Sequence, residues 1–94
     1  MDDDFFVIMA DFITSSQQLA EAAKLCESDP IKQDMIKHIH QDFDDMCGRS
    51  EGIKLLIQKD YVVHRDFILE EMKEIIKQNH NMASEIKKKL EGLA

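Results

Sequence analysis

A chain of 94 residues with a formal net charge of −7 at pH 7 and 44% hydrophobic residues has the balance of one small folded domain, residues 1–94, with a thin stability margin. The negative charge disfavours nucleic acid, whose affinity comes from neutralised phosphates, and disfavours anionic lipid for the same reason. One Pro, three Gly and no Trp, in a composition rich in Lys, Glu, Asp, Ile, Leu and Met, favour helices over strands. The expected class is all-α: an antiparallel three-helix, up-down-up bundle with a heptad-patterned core, its helices at about 3–27, 30–59 and 64–92.

The first helix carries its carboxylates at Asp2, Asp3 and Asp4, where they suit the positive end of the helix dipole. The same residues are the opposite of a basic leader region, so no signal peptide is expected. Phe5 to Met9 is apolar, but Asp11 ends the run far short of a membrane span. A seam follows at Phe5, Met9, Phe12, Ser16, Leu19, Ala23 and Cys26, in alternating steps of four and three. Ser28-Asp29-Pro30 breaks it: Asp29 is a good N-cap and Pro30 a good first helical residue.

The second seam runs through Ile36, Ile39, Phe43, Met46, Ser50, Ile53 and Ile57 and keeps its phase across Gly48 and Gly52. One continuous helix is expected. The alternative is a four-helix chain broken at Gly48–Ser50, where Gly could end one helix and Ser50 begin the next. The third seam is Leu69, Met72, Ile76, Asn79, Ala83, Ile86, Leu90 and Leu93. Asp60 or Asp66 could cap it, with Val62-Val63 read as an extended linker between them. Lys87, Lys88 and Lys89 suit its C-terminal end.

Folding these three rods together puts Ser16, Asp42 and Asn79 in one layer, with His40 and His80 beside it and Asp44 one turn after His40. His40, Asp44 and His80 are therefore a candidate site for a divalent transition metal, the alternative to a bundle with no cofactor. The competing reading makes Ser16 and Asn79 polar core residues that fix register. His38 and His40 stand two residues apart, pointing about 200° apart, and cannot easily share one ion. Asp42, Asp44 and Asp45 lack the glycine and closing glutamate of a calcium loop.

Cys26 and Cys47 are too few for a disulfide framework and lack CxxC spacing. With antiparallel helices they fall roughly 24 Å apart along the axis, so two reduced thiols in a cytoplasmic protein are expected. No motif unites a nucleophile, a base and an oxyanion donor, and no Gly-rich phosphate loop is present; the chain is not expected to be an enzyme.

One end is unusually apolar. Phe5, Phe6, Val7, Ile8 and Met9 are apolar all around the first helix, and the bundle geometry brings Leu55, Val62 and Val63 beside them. Gly48 and Gly52, four apart on the outer face of the second helix, could let another backbone approach closely. Phe5, Phe6, Val7, Gly48, Gly52, Leu55, Val62 and Val63 are thus read as a partner surface, for a second copy in a homodimer or for another helical protein. Val7→Asp or Leu55→Asp is expected to break that association with helicity retained. The expected function is a non-enzymatic interaction or assembly module.

Overall fold

The computed structural model describes residues 3–92, which form three helices and, among the described residues, no strand. Asp2 at one terminus and Leu93 at the other lie outside the described residues.

Helix α1 spans Asp3–Lys24, with Asp3 and Asp4 in its first turn and Lys24 in its last, the charge order its dipole favours. It stops three residues short of the expected end. Leu25, Cys26 and Glu27 donate their backbone N–H groups to carbonyls three residues back, on Ala22, Ala23 and Lys24. That tighter winding turns Cys26 fully into the core. Asp29 then takes extended angles, and its carboxylate accepts from the Ile31 N–H at 3.0 Å, capping α2, Pro30–Met35.

The expected continuous second helix is interrupted, but at Ile36 and not at glycine. Ile36 has φ −104° and ψ 11°, and it is buried to 3% exposure. No Gly or Pro marks the spot; the break is made by packing. The bend frees the Met35 carbonyl, and the Lys89 ammonium reaches across to donate to it at 3.0 Å. The third element, α3, spans Lys37–Glu91 and runs straight through Gly48 and Gly52. The four-helix alternative with a break at Gly48–Ser50 is not formed. Met46 and Ile53, one heptad apart, are both buried and hold the helical phase across the glycines.

Within α3 the single non-helical residue among those described is Asp60, at φ −164° and ψ 86°. Its Oδ1 accepts from the Val63 N–H at 3.3 Å, an N-cap bond three residues on. The chain reverses there, so α3 is two antiparallel arms, 37–59 and 61–91. Val62 and Val63 are the first turn of the second arm and not an extended linker. A cap is worth about 1 kcal/mol, more than the few tenths by which β-branched residues disfavour helix.

The register of the two arms is fixed by Arg49, whose Nη2 and Nε donate to Glu71 Oε2 at 2.6 and 3.2 Å and whose Nη1 donates to Gln78 at 3.3 Å. Farther along, His38 pairs with Glu85 at 2.8 Å. Between α1 and the second arm the pairs advance together, Asp4 with Arg65 and Ser15 with Asn79, so those two run parallel. The result is up, down, up, as the seams predict. Its long axis of 48 Å matches the second arm, which at about 1.5 Å per residue needs about 45 Å.

The core joins Leu19, Ala22 and Cys26 of α1 to Ile36, Ile39, Met46 and Ile53 and to Ile68, Met72, Ile75 and Ile86. The second arm buries more than its expected seam: Ile68, Ile75 and Met82 form another row beside Met72, Asn79 and Ile86. It is the arm wedged between two neighbours, so it needs a wider apolar face. Phe43, expected in the second seam, is instead 42% exposed.

Gly48 and Gly52 are exposed, and a methyl group added to either would meet nothing within 4 Å. They serve no contact inside this chain. Gly48→Ala and Gly52→Ala should each raise stability by about 0.5–1 kcal/mol, seen as a higher Tm by thermal circular dichroism. A fall in Tm would show that the flexible residues are needed in the folded chain itself.

Candidate functional site

The mid-bundle layer is real, but its composition differs from expectation. Asn79, 2% exposed, donates through Nδ2 to Ser15 Oγ at 3.0 Å and to Ser16 Oγ at 3.2 Å. Ser15, 1% exposed, donates in turn to the Phe12 carbonyl at 3.0 Å. The innermost serine is thus Ser15, with Ser16 half-buried beside it. Among the described residues no buried side-chain nitrogen or oxygen is left without a partner. This satisfied knot ties α1 to the second arm at one height, as a register device does.

Asp42 is not in that knot. It is exposed and lines an open groove of about 500 Å³ between the two arms, with Asp45, Arg49, Gln78, Asn81 and Glu85. Of the metal candidates, Asp44 and His80 are both exposed. Asp44 precedes buried Met46 by two residues, so it stands about 200° around the helix from it, on the outer face. His40 lies within α3, but its side chain is outside what the structure describes. Among the described residues no three His, Cys, Asp or Glu side chains gather as a metal-binding group. The two cysteines are free, Cys26 buried and Cys47 exposed.

The apolar end divides into two kinds of residue. Phe5 is half-buried, packed against the core and edge-on to Tyr61, with ring centroids 5.0 Å apart. It belongs to the fold and not to a free surface. Phe6, Val7, Leu55, Val62 and Val63 remain exposed, from 51% to 82%, and Phe67 joins them at 56%. They ring the Asp60 corner. Val7 borders a groove between α1 and the second arm, beside Ile8, Arg65 and Asp66. Leu55 and Gly48 each follow a buried residue, Ile53 and Met46, by two positions and so mark the outer face of the first arm.

A second apolar surface runs along α1. Phe6, Met9, Ile13, Ser16, Ala20 and Ala23 recur in α1 at alternating steps of three and four, a stripe that shares the half-buried Met9, Ser16 and Ala23 with the core-facing seam. Phe6 and Ile13 are 51% and 49% exposed, and Ala20 is exposed. This stripe borders a cleft of about 370 Å³ between α1 and the first arm, floored by Met9, Phe12, Ile53, Ile57 and Met72. A second, smaller hollow of about 100 Å³ is lined by Leu19, Ala23, Ile36, Ile39 and Phe43. The signal in the sequence is charge: between Asp4 and Glu21 the one charged residue is Asp11, in a chain that is 33% charged.

No family model, no curated protein and no solved structure matches this chain. Among the described residues no helix is long and apolar enough to cross a membrane.

Proposed function

We propose that this protein is a non-enzymatic interaction and assembly module that self-associates through apolar surface, in the cytoplasm. The observation that supports the reading is the set of bulky apolar side chains left in solvent, with Phe6, Val7, Leu55, Val62, Val63 and Phe67 around one end. Scattered exposed apolar residues are ordinary, but a concentration of this kind marks a docking surface. The accessible surface supports it too. The chain exposes 6533 Å² for 10.9 kDa, against about 5,600 Å² for a compact monomer of that mass. A rod 48 Å long and about 21 by 17 Å across exposes more side wall than a compact globule of its mass, and that wall is surface a second rod could cover.

Light scattering on eluting protein tests self-association. The expected mass is twice 10.9 kDa at about 100 μM, falling on dilution. A mass of one chain at every concentration overturns it. Val7→Asp, Leu55→Asp and Val63→Asp should leave helicity and Tm close to wild type while lowering the binding of a hydrophobic dye, because exposed positions tolerate charge within about 0.5 kcal/mol. Unfolding by any of them would mean that the end is core.

A further inference from the structure

We infer that the second copy sits on the half-exposed apolar stripe of α1, in which Phe6, Ile13 and Ala20 are exposed and Met9, Ser16 and Ala23 are half-buried, the two α1 helices packing antiparallel across a two-fold axis. This inference rests on the self-association proposed above and names the surface. The stripe Phe6, Met9, Ile13, Ser16, Ala20, Ala23 has its three large residues in the first half and its three small ones in the second. An antiparallel copy sets Phe6 against Ala23, Met9 against Ala20 and Ile13 against Ser16, large facing small along the whole contact. A parallel copy sets large on large and small on small, with a clash at one end and a void at the other. Interdigitated packing at native density requires the first arrangement. A patch that complements itself in this way closes into a dimer.

Three further observations agree. No residue of the stripe is charged, and its helix carries one charge between Asp4 and Glu21, so on α1 there is no ionic group in the contact; Glu51 and Lys54 stand on the first-arm wall of the neighbouring cleft, at the rim of the contact. The cleft beside the stripe is floored by Phe12, Ile53 and Ile57, so an arriving helix also packs on the first arm of α3. Phe43, 42% exposed, lines the smaller hollow together with Ala23 at the far end of the stripe, and gains the cover that its place in the seam calls for. Together the two α1 helices and the two first arms make a four-helix interface.

Disulfide trapping tests the arrangement, in a Cys47→Ser background because Cys47 is exposed and Cys26 is buried. Residues 9 and 20 lie about 16 Å apart along one helix, beyond the reach of an internal bridge. The double variant Met9→Cys with Ala20→Cys should oxidise to a covalent dimer, and neither single variant should. Crosslinking by Met9→Cys alone shows parallel pairing and overturns the inference, as does failure of the double variant to crosslink. Light scattering separates this from the broader reading. Ile13→Asp should give one-chain mass with helicity retained, whereas Leu55→Asp, on the outer face of the first arm and away from the stripe, should remain a dimer, contrary to the expectation from the sequence. A dimer that survives Ile13→Asp but dissociates on Leu55→Asp overturns the α1 contact and leaves self-association standing; a monomeric wild type overturns both.

Discussion

Ile68→Ala and Ile75→Ala should each lower the unfolding free energy by about 2–5 kcal/mol, from lost burial and the cavity left behind. Ile68 is 0% exposed and Ile75 is 1% exposed, on the arm held between α1 and the first arm of α3. Side chains there have neighbours on both flanks and little room to collapse inward. A chain this size has a total stability of about 5–14 kcal/mol, so either change removes a large share of it. At about 4–8 °C per kcal/mol, Tm should fall by about 8–40 °C. Val62→Ala is the control: Val62 is 82% exposed, and its truncation should leave Tm nearly unchanged. A shift below about 5 °C for Ile68→Ala would place that residue outside the core and undo the bundle geometry with it.

Asn79 separates two kinds of stability. Asn79→Asp puts a carboxylate at a site 2% exposed, facing two serine hydroxyls with no cation described beside it. Losing a buried site's proper partner in this way costs about 3–5 kcal/mol at neutral pH. The sign with pH follows. Burial raises the folded-state pKa of such a carboxyl above its unfolded value of about 3.9. Below that value both states are protonated and the penalty is absent; it grows as pH rises toward the folded-state pKa. Asn79→Leu should behave differently. Ser15 still donates to the Phe12 carbonyl and half-buried Ser16 can turn to water, so no donor is stranded. Stability should stay within about 1 kcal/mol of wild type, while α1 loses the bond that sets its height on the second arm. Urea unfolding measures the first effect. Broadened side-chain resonances of α1 at unchanged Tm measure the second, and sharp wild-type-like resonances would show that apolar packing alone sets the register.

Much of the architecture was legible because heptad steps survive tertiary packing. Ile36, Ile39, Met46, Ile53, Met72, Asn79 and Ile86 were all read as inward, and all are buried. Asp29 and Asp60 were readable as caps because an aspartate just before a helical run has a local hydrogen bond to make. The bend at Ile36 was not readable. Nothing local requires it, and the Met35 carbonyl that it frees is satisfied by Lys89, far along the chain. Continuity through Gly48 was legible: glycine permits a break, but the seam keeps its phase there, and two buried neighbours one heptad apart prevent one. The stripe on α1 is less legible because Met9, Ser16 and Ala23 also belong to the core-facing seam. Its charge depletion was in plain view, yet gained meaning once the first arm was seen to leave a cleft beside it.

Tyr61 is the chain's one tyrosine, there is no tryptophan, and its ring meets Phe5 edge-on where the Asp60 corner closes against the start of α1. Ultraviolet emission from this protein therefore comes from a single address, without any label. Its polarisation and quenching report whether that corner is shut, and a change confined to the opposite tip of the rod will leave the signal silent.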